Sequence, residues 1–199
     1  MTEPVESLVR ARLAEGAALL ESMLGDECVA AIGAVAAATA EAFRAGNKLL
    51  LFGNGGSAAD AIHVAAEFVG RYLVERRPLP AIALVANPSA VTAIGNDYGF
   101  EQVFARQVTA LGAAGDVAIG FTTSGRSANV VRGLEAARAA GMATVAMTGA
   151  DPGPVGAAAE RVIRIPSADT PRVQEGQMLA AHIVCEWVEA RLAEEAPPA

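Results

Sequence analysis

The chain has 199 residues, of which 53% are hydrophobic and 19% charged, with a formal net charge of −7. That length suffices for one domain with a sizeable core, and an acidic chain without a basic, aromatic-laced patch is not built to hold nucleic acid. No run of eighteen apolar residues suggests a membrane span, the start Met1-Thr2-Glu3-Pro4 lacks a signal peptide's basic and apolar regions, and Cys28 and Cys185 have no metal-type spacing. A cytoplasmic protein with reduced or buried thiols is therefore expected.

Two helices are expected first, over about 4–24 and 27–45. Their apolar positions Leu8, Leu13, Leu19, Leu20, Met23, Val29, Ile32 and Phe43 suit packing on a sheet or against the same helices of a second copy. Strands follow near 48–53, 80–86, 115–121, 142–147 and 161–165, separated largely by helices. The breaks at 76–80 and 151–154 are rich in Pro and Gly and read as loops within a single domain spanning 1–199. Such alternation predicts an α/β fold: a three-layer sandwich around a mainly parallel five-stranded sheet, with an N-terminal helical extension and ligands at the C-terminal strand ends.

The first strand runs into Gly53-Asn54-Gly55-Gly56-Ser57-Ala58-Ala59-Asp60, a strand-to-helix turn whose helix is expected over about 58–70. Ser57 is a candidate N-cap, and the free N–H groups behind it suit a phosphate or carboxylate. The pattern is neither the Gly-x-Gly-x-x-Gly dinucleotide motif nor a nucleotide P-loop, and an ordinary βα turn is the plain alternative. Further along, His63 and Glu67 share a helix face that Asp60 and Arg71 extend. A carboxylate beside imidazole on an otherwise apolar helix suits a proton shuttle or two metal ligands, against the plainer reading of a surface hydrogen bond.

The third strand leads into Thr122-Thr123-Ser124-Gly125-Arg126-Ser127-Ala128-Asn129 and a helix running through Ala140. One helix cap does not need four hydroxyls, whereas a phosphate uses several donors. Arg126 is a cation placed near a helix start, unfavourable by a few tenths of a kcal/mol unless an anion sits there or the side chain reaches water. The last long helix follows Asp169-Thr170-Pro171-Arg172-Val173-Gln174-Glu175 and carries Gln177, His182 and Glu186. His182 among apolar neighbours reads first as a core histidine. Gln174 and His182 are eight residues apart, about 12 Å along a straight helix. To share one centre, either Gln174 precedes the regular helix or one of them comes from another subunit.

Taken together, the Gly53–Asp60 turn with His63, Glu67, Gly70 and Arg71, the segment Gly95-Asn96-Asp97-Tyr98-Gly99-Phe100, the Thr123–Asn129 loop, and Asp169 with Arg172, Gln174, Glu175 and His182 resemble the phosphoheptose (sedoheptulose 7-phosphate) isomerases of the sugar-isomerase (SIS) fold. The likeness extends from about residue 6 to 193. It implies conversion of sedoheptulose 7-phosphate to D-glycero-D-manno-heptose 7-phosphate through an enediol, for the activated heptose of lipopolysaccharide or other surface glycans. It also implies a homotetramer with shared active sites, to which the N-terminal helices over 4–45 contribute contacts.

By the same resemblance zinc is held by His63, Glu67, Gln174 and His182, with Glu67 and His182 as the acid/base pair. Ser57, Thr122, Ser124 and Ser127 surround the phosphate, and Asn54, Gly55, Gly56, Arg71, Asn96, Asp97, Thr123, Asp169, Thr170 and Gln174 are the remaining substrate-binding positions. Chain spacing does not assign the carbon-bound proton to Glu67 or to His182. Arg126 stands where the family commonly has asparagine, and Gln177 where it commonly has histidine. Two other readings share the fold: a non-catalytic binding protein associated with the replication initiator, which lacks the glutamate matching Glu67, and an isomerase for another phosphosugar.

Overall fold

A computed structural model describes residues 4–193, so both ends of the 1–199 span lie outside the described residues. The elements in chain order are α1 (Val5–Ser22), α2 (Asp26–Arg44), β1 (Leu49–Phe52), α3 (Gly56–Val69), β2 (Ala81–Ala83), α4 (Pro88–Tyr98), α5 (Ala105–Leu111), β3 (Val117–Phe121), α6 (Ala128–Ala139), β4 (Ala143–Thr148), α7 (Gly153–Ala158), β5 (Arg161–Arg164) and α8 (Thr170–Ala193). Among the described residues no single helix is long and apolar enough to cross a membrane.

The five strands form one sheet in the order β2-β1-β3-β4-β5, and every pairing is parallel. Alternate residues of β1 face opposite cores: Leu49 and Leu51 join α2, α3 and α8, while Leu50 and Phe52 join α5, α6 and α7. All four are fully buried, which is why the strand reads as an unbroken apolar run. The layered α/β architecture is thus the one expected.

Three local expectations need correction. The second strand is short: only Ala81–Ala83 pair in the ladder. Leu84 still donates to the Leu51 carbonyl, but Ala86 then donates back to Ala83, so the chain turns away from this edge. The segment 151–154 is not wholly loop, because Gly153 and Pro154 open α7. A proline in a first helical turn loses no helix bond, since its missing N–H would be unpartnered there. Finally, Ser57 is not the N-cap of α3. The helix begins at Gly56 and its cap is Gly55, whose positive φ of 57° suits a residue without a Cβ.

Candidate active site

In a parallel sheet of this order the chain leaves β1 and β3 toward opposite faces, opening a crevice between their C-terminal ends. The loops at that crevice are the Gly53–Ser57 turn and the Thr122–Ser127 loop. A reciprocal amide pair joins them: the Asn54 and Asn129 side chains each donate to the other's oxygen at 2.8 Å. Both ends of the Asn54 amide are therefore engaged in positioning the loops.

Between them lies a cavity of about 250 Å³, walled by Asn54, Gly56, Ser57, Phe121, Thr122, Thr123, Ser124, Ser127, Thr170 and Gln174. The hydroxyls converge: Thr122 Oγ1 is 3.1 Å from Ser127 Oγ and 3.5 Å from Ser124 Oγ. Ser127 precedes α6 in the capping position, yet its side chain makes no capping hydrogen bond. The loop's hydroxyls are therefore not used up on the helix, and with the leading N–H groups of α3 they form a donor-lined pocket suited to an anion. The volume is below the roughly 300–1,000 Å³ that encloses a whole small ligand. A phosphate fits inside, and the rest of a larger molecule must extend outward. A Cβ on Gly56 would meet the Gln174 amide, so a side chain there would have to displace Gln174 from the pocket wall.

Arg126 does not serve this pocket. It lies two residues before α6, and its Nη2 donates to Asp151 at 2.8 Å in an exposed ion pair. The carboxylate of Asp151, rather than a bound anion, accounts for its position.

Gln174 beside Gly56, with His182 beside His63, shows that α3 and α8 run side by side in the same direction. The ligand atoms of His63, Glu67 and His182 lie within 4.8 Å of one another. His63 Nε2 is 2.9 Å from Glu67 Oε1. The His182 ring is edge-on to His63 with centroids 5.1 Å apart, and Tyr72 covers it at 5.3 Å. His182 Nε2 is buried without a hydrogen-bond partner among the described residues, so it is not a satisfied core histidine. Two imidazoles, one of them with an orphaned ring nitrogen, and a carboxylate fit a metal ion such as zinc. The His63 side chain is 49% exposed and that of Glu67 22%, so the cluster opens to one side. Asp60, one turn before His63, has Oδ2 buried and without a hydrogen-bond partner among the described residues, and burial pushes its carboxyl up to about 6 although His63 pulls it back.

Of the other sequence-selected residues, Gln174 walls the cavity, whereas Arg71, Asn96, Asp97 and Asp169 lie apart from it. Gln174 sits inside the unbroken α8, two turns before His182, which answers the spacing question: it does not precede the regular helix. Arg71 is exposed and 3.8 Å from Glu75. Asn96 donates to Asp97 at 2.7 Å in the exposed last turn of α4, and Asp169 borders a different cavity beside Arg12 and Arg172. Gln177 is fully buried, and its amide donates to the carbonyls of Thr122 and Met147, tying α8 to the start of the Thr122–Ser127 loop and to β4. Sequence reasoning passed over Tyr72, Arg76 and Glu189. Only the last left a trace, a carboxylate seven residues after His182 on the same apolar helix face.

A SIS-domain family model matches residues 13–149. Over 184 residues the chain is 50% identical to a phosphoheptose isomerase of Geobacter sp. (strain M21), covering 92% of this chain and 95% of that protein. The structure of a phosphoheptose isomerase from Neisseria gonorrhoeae superposes with a TM-score of 0.88 at 38% identity, over 94% of this chain and all of that one. A phosphoheptose isomerase from Francisella tularensis gives 0.90 at 31% identity with the same coverage.

Proposed function

The chain belongs to the phosphoheptose isomerase family of SIS-domain proteins, and from that premise we propose that it converts sedoheptulose 7-phosphate to D-glycero-D-manno-heptose 7-phosphate, supplying activated heptose for lipopolysaccharide or another surface glycan. The observation that carries the reading is the meeting of His63, Glu67 and His182, with an orphaned buried nitrogen, on the helix pair that also bears the hydroxyl-lined pocket. A binding protein needs the pocket alone. Retention of the Glu67–His182 pair favours catalysis over the non-catalytic alternative.

On this reading Ser57, Thr122, Ser124 and Ser127 hold the phosphate, with Gly55, Gly56, Thr123 and Thr170 shaping the pocket. Glu67 removes the proton from C1 of the open-chain ketose, and a proton returns to C2. His182 moves the hydroxyl proton from O1 toward O2, so the product differs from the substrate only in where two hydrogens reside. Zinc, held by His63, Glu67 and His182, would supply Lewis-acid polarisation of the substrate oxygens.

Gln174 completes that ligand set only from a second copy, since within its own chain it lies about 12 Å along α8 from His182. This supports sites shared between copies, and we infer a homotetrameric cytoplasmic enzyme with the whole chain acting as one SIS domain. The exposed apolar side chains Leu20 and Val29 of the N-terminal helices and Leu24 of the turn between them, beside Leu179, Ile183 and Trp187 of α8, fit such a contact. Arg71, Asn96, Asp97 and Asp169, all outside the pocket of their own chain, are then available to a neighbour's substrate.

The test is turnover of sedoheptulose 7-phosphate by the purified protein, compared with five- and six-carbon phosphosugars. The seven-carbon substrate should be preferred. Metal analysis without chelator should find near one zinc per chain, with activity lost on chelation and restored by zinc. Preference for a shorter sugar would move the assignment to another phosphosugar, and a fully active metal-free preparation would remove zinc.

A further inference from the structure

Two ionisable side chains outside the cluster are buried together where α3 ends. The Arg76 and Glu189 side chains are each 2% exposed, with Nε 3.2 Å from Oε2. Arg76 donates through Nη2 to the carbonyl of Glu67 at 2.8 Å and through Nη1 to those of Phe68, Gly70 and Arg77 at 2.9–3.0 Å. Glu189 accepts from the backbone N–H groups of Tyr72, Leu73 and Val74 at 2.7, 2.5 and 2.6 Å. Burial alone would raise the Glu189 carboxyl, but those three donors and Arg76 hold it below the usual range, so it stays charged.

A buried ion pair is weak as a source of stability, because desolvation offsets the attraction. This one instead has a directed geometry. It grips the backbone of Glu67 itself, it folds the 70–77 segment so that the Tyr72 ring lies against His182, and Glu189 sits two turns beyond His182 on α8. Resting on the reading of His63, Glu67 and His182 as the reactive cluster, we propose that Arg76 and Glu189 form a positioning clamp that fixes Glu67 relative to His182, with Tyr72 as the part that touches the histidine. These are positioning residues, since none of them is placed on substrate. Outer partners of this kind typically tune metal affinity or activity by about 10–100-fold.

The experiment compares wild type with Glu189→Gln and Tyr72→Leu. Zinc affinity is read by chelator competition on the metal-free proteins, and kcat and KM are read with sedoheptulose 7-phosphate. Zinc affinity and kcat should each fall at least about tenfold. KM should stay within about twofold, because Ser57 and the phosphate pocket lie ten residues, about 15 Å, up α3 from Glu67. If Glu189→Gln does not fold, Tyr72→Leu decides alone, its side chain being only partly buried. Folded variants with wild-type zinc affinity and kcat overturn the clamp, as does a lowered thermal midpoint with both values unchanged. A wild type that neither takes up zinc nor turns over a phosphosugar overturns the proposed function and this inference with it.

Discussion

At the start of α3 the Ser57 turn and the Thr122–Ser127 loop make a donor-lined pocket from two short stretches of backbone and hydroxyl, joined by the Asn54–Asn129 pair. At the other end, His63 and Glu67 reach His182 only because α8 packs alongside, and Tyr72 lies over that histidine in a segment whose backbone N–H groups bond to Glu189, 115–117 residues away in sequence. The first end is chemistry that a βα turn carries with it; the second must be assembled by tertiary structure. Changes at the two ends should therefore separate in kinetics, the pocket acting on substrate capture and the cluster on turnover.

The largest expected effect is at the cluster. Glu67→Gln should lower kcat at least about a hundredfold, because a neutral amide cannot accept the proton, and His182→Asn should be similarly severe. Affinity for inorganic phosphate should be unchanged in both. Near-normal turnover in either folded variant would break the comparison at its more consequential end.

At the pocket, Ser124→Ala removes one donor from a charged acceptor and should reduce both kcat/KM and phosphate affinity by about fivefold, roughly 1 kcal/mol. A loss of kcat with unaltered phosphate binding would merge the two ends into one. Unchanged values would leave the loop no role toward an anion.

Asp60 lies between the ends, and its raised carboxyl gives a pH signature. The folded protein holds this proton up to about pH 6 while the unfolded chain releases it near 4, so the contribution to stability falls as pH rises through that window. Asp60→Asn should remove this dependence in the metal-free protein. At pH 8 it should raise stability by on the order of 1 kcal/mol, allowing for the group's partial exposure, and near pH 4 the difference should vanish. Thermal unfolding across pH checks this, and parallel curves for the two proteins would show that Asp60 is not strained. The smallest effect is expected of Arg126→Ala, whose exposed pairing with Asp151 leaves kcat/KM within about twofold. A loss matching that of Ser124→Ala would place Arg126 on the anion after all.

Much of the molecule was legible in the chain because its signals are local. The strands are apolar runs bounded by turn residues, and the pocket is two contiguous motifs at strand ends. The helix face bearing His63 and Glu67 follows from a four-residue spacing. What escaped depends on residues distant in sequence or on backbone detail. The cap moved from Ser57 to Gly55, because a glycine at positive φ can cap where a serine was expected. Arg126 found Asp151, 25 residues away, and no spacing rule brings those two together. Arg76 looks like an ordinary surface charge in sequence, and the place of Glu189 on an apolar face does not name its partner, since burial of such a pair is decided only when the 70–77 segment folds onto α8.

The unbroken α8 has a consequence for mixtures of chains. It carries Gln174 at the pocket end and His182 two turns on, at a separation that a rigid helix does not adjust. If the Gln174 of one chain completes the cluster of another, each chain lends its pocket to one site and its cluster to a different one. A chain spoiled at Glu67 and a chain spoiled at Thr122 and Ser124 are then complementary lesions. Each would be inactive alone, whereas co-assembled they would regenerate some sites in which both halves are intact, so two defective alleles in one cell would together behave as a working gene.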